Sequence, residues 1–362
     1  MSTIANPDRP EAPPRTGHVP PTLTALAAGH WVSRAIHVAA KLRVADLLAD
    51  GPLDANVLAR KTGAHPDALF RLLRALAAVG VFSQQDGGRF GLAPPGEMLR
   101  PDAPGSLYDY VMMLGSAESW QAWQHMEDAV ATGTPAFDHA FGMPIFEYFA
   151  KNPALGRLFD KAMRSRSAAD HDAVIAAYDF ARAGHIVDVG GGEGTFLAAV
   201  LNSAPRAKGT LFERPQAAAA ARAAIAASEA AGRVDIVAGD FFSAVPAGAD
   251  LYLIKQVVHD WDDEQAVSIL ANCRKAMSPT SRLLILEMLI GAEDTPVFAN
   301  MLDLMMLVST GGRERTLAEY RQLVSNAGLD VTRAVPTRVP LTIIEAVPMR
   351  SEPVAYGGSE AR

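Results

Sequence analysis

Three features predict an α/β fold: a parallel sheet with helices on both faces, preceded by a smaller, mostly helical, winged-helix-like domain. From about residue 185 onward, short apolar β-type runs alternate with helical patterns, the rhythm of parallel strands joined by crossover helices. Before that point apolar residues recur at i, i+3, i+4 and i+7, the period of an amphipathic helix. Between the two regimes, the apolar Ile186-Val187 run enters Asp188-Val189-Gly190-Gly191-Gly192-Glu193-Gly194 and leaves through the helical Phe196-Leu197-Ala198-Ala199-Val200-Leu201. That is a strand, a tight turn and a helix N-terminus, where a ligand can lie against bare backbone.

The elements follow in order. Residues 1–20, with Pro10, Pro13, Pro14 and Pro20, read as a flexible arm. Residues 21–104 form the winged-helix-like domain. Leu53–Ala59 reads as a helix, Gly63-Ala64-His65-Pro66 as a turn, and Leu69, Leu72, Leu73, Leu76 and Val79 as one apolar helix face stopped by Gly80. Val81–Ser83 and Arg89–Leu92 bracket Asp86-Gly87-Gly88 as a two-stranded wing. Residues 105–180 are the most aromatic part, helical, and serve either as interdomain core or as the wall of a pocket for a flat apolar molecule. In residues 181–350 strands are predicted at 186–189, 208–212, 233–237, 250–255 and 282–288. Helices are predicted at 216–231 and 264–277, and a closing antiparallel pair at 329–335 and 341–347. Residues 351–362 read as a flexible tail.

Composition narrows the function. A net charge of -7 offers no electrostatic case for nucleic acid or an anionic membrane, and 49% apolar residues suffice for real cores. The helix that a DNA-binding reading would place in a groove carries only Arg71 and Arg74, so packing or dimerisation suits the winged region better. The single cysteine, Cys273, excludes an internal disulfide framework. Without a long apolar span or a basic-then-apolar N-terminus, the expected location is cytoplasmic.

The glycine cluster lacks the Lys-Ser/Thr of a nucleotide-phosphate loop, and counting from Gly190 it breaks the G-x-G-x-x-G spacing at Thr195. What remains is D-x-G-x-G-x-G. In a parallel sheet ligands bind beyond the strands' carboxyl ends, so the residues there are candidates. Glu213 ends the second strand and can accept from both ribose hydroxyls, or is a solvated strand end. Asp240-Phe241 ends the third, a carboxylate for an adenine amino group and a ring for its face, with Asp240 alternatively a helix N-cap. The fourth ends in Lys255-Gln256-Val257-Val258-His259-Asp260-Trp261, a cation and a histidine near one site. Acids at consecutive strand ends point to a nucleoside-containing cofactor, and Lys255 to one that carries a carboxylate.

Asp188 through Gly194 resembles the first motif of class I S-adenosylmethionine-dependent methyltransferases, which share a Rossmann-like sheet. Lys255–Glu264, Leu284–Met288 and Gly311–Thr316 together resemble the small-molecule O-methyltransferases that include plant caffeic acid O-methyltransferase and bacterial polyketide and phenazine methyltransferases. The resemblance implies S-adenosylmethionine as cofactor and an aromatic or polyketide-like acceptor hydroxyl. It implies His259 as general base, with Glu287 and Glu314 holding its imidazole. It implies cofactor contacts at Asp188, Gly190, Gly192, Glu213, Arg214, Asp240, Phe241, Lys255 and Trp261. It implies acceptor contacts at Met163 and Met305, beside which Phe146, Phe159 and Asn300 are further candidates. It further implies a homodimer built through the winged region, and no metal, with Asp260, Asp262 and Asp263 the acidic start of a helix. Two positions depart from the plant pattern: Arg164 and Arg166 fill a segment where plant enzymes carry a histidine, and Ser309-Thr310 stands in place of an asparagine. A phenol near pKa 10 and a histidine near 6.5 would make full proton transfer cost roughly 4.8 kcal/mol, so deprotonation should accompany methyl transfer.

Overall fold

The computed structural model describes residues 22–291 and 295–349, so the expected arm and tail lie outside the described residues. The carboxyl-terminal half is built on a seven-stranded sheet. Its strands are β1 (His185–Val189), β2 (Lys208–Glu213), β3 (Val234–Ala238), β4 (Leu251–Lys255), β5 (Arg282–Glu287), β6 (Leu329–Pro336) and β7 (Thr342–Pro348). The spatial order is β3-β2-β1-β4-β5-β7-β6. β1 through β5 run parallel, and the closing hairpin adds β7 antiparallel to β5, with β6 outermost. The order reverses between β1 and β4, which opens a crevice at the carboxyl ends of those strands.

The central strands are continuous apolar runs because both faces are covered. Leu251, Tyr252, Leu253 and Ile254 are all buried, as are Leu283 through Leu286. One face packs on the helices Thr195–Ser203 and Pro215–Ala226 through Leu197, Leu201 and Ile225; the other packs on Asp263–Ala276 and Leu317–Asn326 through Ile269, Leu270 and Leu323. Asp262 caps the first of these last two helices by accepting from the Gln265 N–H, and Asp263 and Glu264 sit in its first turn beside the positive end of its dipole.

The amino-terminal region is helical with a small antiparallel wing. Phe82–Gln85 and Arg89–Leu92 pair across the Asp86-Gly87-Gly88 turn, with Gly87 and Gly88 at positive φ. A difference from the sequence reading lies at Leu53-Asp54. These residues are extended and pair with Phe90 and Arg89, and the helix begins only at Ala55, because Asp54 turns its carboxylate onto the Asn56 N–H and caps it. The alanine-rich helix ends at Ala226, earlier than its composition suggests, before the short turn Ala231–Arg233.

Residues 108–177 are seven short-to-medium helices laid from the winged region to the sheet. Pro153–Ser167 packs along Tyr108–Leu114, and Ala136–Phe141 wedges between Ala117–Gln124 and Val297–Ser309.

Candidate active site

The carboxyl ends of the strands β1, β2 and β4, with the loop after β3, open into one cavity of about 780 Å³, walled on the far side by the helices Pro153–Ser167 and Val297–Ser309. Asp188, Gly190, Gly192, Glu213, Arg214, Asp240, Phe241, Lys255 and Trp261 all line it. Its floor is bare backbone by necessity. Gly190 sits at φ +70 and an added Cβ would meet Val257 at 3.0 Å; one on Gly191 would fall 2.3 Å from the Asp188 carboxylate. Asp188 is buried with neither oxygen hydrogen-bonded among the described residues, and burial raises it to about 7.

Glu213 is only 8% exposed, which rules out a solvated strand end. It takes the Gly192 N–H at 3.0 Å on one oxygen and the Arg214 N–H at 2.8 Å on the other, which ties β2 to the glycine turn and aims the carboxylate across the cavity. Asp240 combines both of its readings: it lines the cavity and its Oδ1 caps the following turn through the Phe242 N–H at 2.9 Å. Lys255 donates to the Ser167 hydroxyl at 2.5 Å and to Gln256 Oε1 at 3.3 Å. Burial lowers its pKa to about 8.

His259 stands on the short turn Val258–Asp260, 6% exposed, with Nδ1 2.6 Å from Glu314 Oε1. Glu287 acts both on the imidazole and on the turn that carries it. Its Oε2 is 3.6 Å from Nδ1, beyond a hydrogen bond, whereas its Oε1 receives the backbone N–H groups of Val257, Val258 and His259 at 3.1, 3.0 and 3.4 Å. Arg315, almost fully buried, grips the same turn by its carbonyls, donating to Val258 O at 3.2 Å and Trp261 O at 2.8 Å while paired to Asp263 at 2.8 Å. Gly312 lets that strap lie close, since a Cβ there would fall 2.0 Å from the His259 carbonyl oxygen. Gln256 absorbs the bend at φ 51, a left-handed conformation uncommon outside glycine.

Burial by itself would push the His259 imidazole below its ordinary 6.5, but Glu287, Asp260 and Glu314 outweigh it and lift the pKa to about 10. Burial likewise raises Glu287 to about 7 and Asp260 to about 6, each moderated by the charged imidazole. Such a cluster holds a proton on Nδ1, with Nε2 3.8 Å from Asp260 Oδ1 and the residue itself lining the cavity.

Phe146, Phe159, Met163 and Met305 line the helical side of the cavity. Phe146 stacks on Trp261 with centroids 5.5 Å apart, and the Arg214 guanidinium lies 5.1 Å from its ring centroid. Asn300 is the exception: it is exposed and does not line the cavity. On the helix Val297–Ser309 the cavity face is Leu302, Met305, Met306 and Ser309, and at 100° per residue Asn300 projects about 140° away from Met305. Residues the sequence comparison did not assign also line it, among them Tyr110, Asp160, Arg166 and Ser167. Asp160, raised to about 6 by burial, was readable only as one polar position in an amphipathic helix.

A doubly wound sheet, a side-chain-free turn after β1, acids at its strand ends and a buried proton-holding histidine over an aromatic cavity define a group-transfer enzyme that uses a nucleoside cofactor. Residues 123–330 match the O-methyltransferase domain model and residues 24–101 the O-methyltransferase dimerisation domain model. The chain is 40% identical to the phenazine O-methyltransferase PhzM of Lysobacter antibioticus, covering 92% of this chain and 98% of that one. It is 41% identical to a mitomycin biosynthesis 6-O-methyltransferase of Streptomyces lavendulae, over 90% and 93%. Among solved structures, an O-methyltransferase from neocarzinostatin biosynthesis, crystallised with S-adenosylmethionine and 2-hydroxy-5-methyl naphthoic acid, superposes with a TM-score of 0.75 at 36% identity, over 88% and 96%. The chain belongs to the family of S-adenosylmethionine-dependent O-methyltransferases. Among the described residues no helix is long and apolar enough to cross a membrane.

Proposed function

We propose that this enzyme methylates a phenolic hydroxyl of a flat aromatic or polyketide-like molecule, with His259 as general base. The observation that carries this reading is the imidazole fixed between Glu314 and the cavity by the 2.6 Å Nδ1 contact. The residues present fit the cofactor: a floor without side chains at Gly190 and Gly191, acids at Glu213 and Asp240 for ribose and adenine, the Phe241 ring, and a Lys255 amine for a carboxylate. When bound, S-adenosylmethionine supplies a methyl group already activated by its positive sulfur. The protein's own part is alignment, worth as much as roughly 7–11 kcal/mol, and removal of the hydroxyl proton.

In that reading Nε2 of His259 accepts the proton, Glu314 stabilises the imidazolium through Nδ1, and Glu287 and Arg315 fix the turn from opposite sides. A base near 10 matches a phenol near 10, so proton transfer itself is close to even in energy. The same base is mostly protonated at pH 7, and the advantage appears only as pH rises. His259, Glu287 and Glu314 lie close enough to suggest a metal site. We assign no metal, because a direct 2.6 Å contact between His259 and Glu314 is a hydrogen bond and would have to open to admit an ion.

We further assign the winged region, residues 21–104, to homodimerisation, residues 105–180 to the acceptor wall and 181–350 to catalysis, acting in the cytoplasm on small molecules without nucleic acid or membrane. The exposed Leu23, Leu26 and Trp31 on the first helices support the dimer. The test is transfer of a labelled methyl group from S-adenosylmethionine to a panel of phenols and naphthols, beside calorimetric binding of S-adenosylhomocysteine. His259→Ala should lower turnover by about 10²–10⁴-fold with S-adenosylhomocysteine still bound; near-normal turnover in that variant would remove the base.

A further inference from the structure

Two cations at the inner end of the cavity lack a full ion pair. Among the described residues no carboxylate lies within 4.0 Å of Lys255 Nζ; Asp170, Asp188 and Glu287 act on it only from farther away. Arg166 lies close enough to act electrostatically on Lys255. Its side chain is 16% exposed, and the carboxylate paired with it, that of Asp170, is at the 4.0 Å limit. Its other partners are neutral: Gln256 Oε1 at 3.2 Å, the Tyr110 hydroxyl and the Phe298 ring face at 5.2 Å. Ser167 and Gln256 add a hydroxyl and an amide between the two cations. Two largely desolvated cations whose nearest carboxylates, Asp170 between them and Asp188 and Glu287 on the Lys255 side, all stand at or beyond 4.0 Å are a standing cost unless a ligand brings negative charge.

We infer that Arg166 joins Lys255, Ser167 and Gln256 in a carboxylate-binding subsite of this enzyme. The inference rests on the function proposed above and adds to it a residue that nothing in the glycine turn or the His259 turn identifies. A guanidinium is the suitable group here, since its planar fork meets a carboxylate with two parallel hydrogen bonds. Two molecules in the reaction can bring that carboxylate: the amino-acid end of the cofactor, or an acid group on the aromatic acceptor.

The experiment compares wild type, Arg166→Gln and Arg166→Lys in the full chain. S-adenosylhomocysteine and 5′-methylthioadenosine, which lacks the amino-acid end, are titrated calorimetrically, and KM is measured for phenols paired with the corresponding hydroxybenzoic acids. If the cofactor brings the anion, Arg166→Gln weakens S-adenosylhomocysteine by about 10–100-fold and leaves methylthioadenosine within about threefold. If the acceptor does, S-adenosylhomocysteine is unchanged and KM rises by about tenfold or more for the acid and not for its plain phenol. In either case Arg166→Lys recovers part of the loss. Equal weakening of both nucleosides, or no change in any arm, overturns the subsite while the methyltransferase reading stands. Wild type that binds neither nucleoside overturns the reading itself.

Discussion

The two halves of the cavity are made by different means. The half proposed for the cofactor is backbone and strand ends: the glycine turn, Glu213, Asp240 and the His259 turn are each set within a few residues of a strand whose register its neighbours fix. The half proposed for the acceptor is side chains, Phe146, Phe159, Met163, Met305 and Met306, brought together from helices more than 100 residues apart in sequence. A site made of backbone tolerates almost no change of shape, whereas one made of methionine and phenylalanine side chains can repack around a different ring. This contrast fits a set of relatives that share methyl transfer and differ in acceptor, oxygen in some and nitrogen in others.

The sharpest way to break the contrast is to add one methyl group to the rigid half. Gly312→Ala places a Cβ 2.0 Å from the His259 carbonyl oxygen and 2.6 Å from the Trp261 nitrogen, backbone atoms that cannot turn aside. Turnover should fall by about 10²-fold or more, because an ångström of displacement at the base is enough for that; a soluble variant with wild-type kcat would show the turn to be compliant. Next in size is Glu213→Ala, which removes the acceptor of the Gly192 and Arg214 amides as well as the expected ribose contact. S-adenosylhomocysteine affinity should drop about 10–100-fold by calorimetry, and unchanged affinity would move the cofactor elsewhere.

A third effect sharpens the electrostatics. A base works when deprotonated, and His259 is raised above its ordinary 6.5 to about 10, so kcat/KM should climb with pH through the alkaline range rather than level off near neutrality. Glu314→Gln removes one of the carboxylates that raise it and should move the ascending limb about 1–3 pH units lower. A wild-type limb centred near 6.5, or one that ignores the substitution, contradicts the cluster. The smallest expected effect is Asn300→Ala, within about twofold in kcat and KM because the side chain is exposed and outside the cavity. A tenfold rise in KM would instead mean that Asn300 reaches an acceptor pocket across the dimer.

Much of this was legible in the chain. The strands fall within a residue or two of where apolar runs predict them, since a strand buried on both faces needs an unbroken apolar stretch. Of the residues expected at the site, all but Asn300, Glu287 and Glu314 border the cavity, and those two acids stand immediately behind the base. Asn300 lies off the cavity because placing a residue on a helix leaves the helix's rotation open. Glu287 acts on the imidazole by its charge, as the resemblance implies, and in addition holds three amides of the turn, a use of a carboxylate that no spacing announces.

The sequence by itself determined the sheet, the glycine turn and the placing of acids and a histidine at strand ends, because each depends on short-range periodicity and on residue types that permit one local geometry. Only the tertiary structure decided that Arg315 and Glu287 clamp one turn, that Arg166 lies beside Lys255, and which face of the helix Val297–Ser309 meets the cavity. Those are contacts between segments dozens of residues apart. Their geometry is settled by how whole helices and loops pack on the sheet, and that packing is a property of the folded chain rather than of any stretch of it.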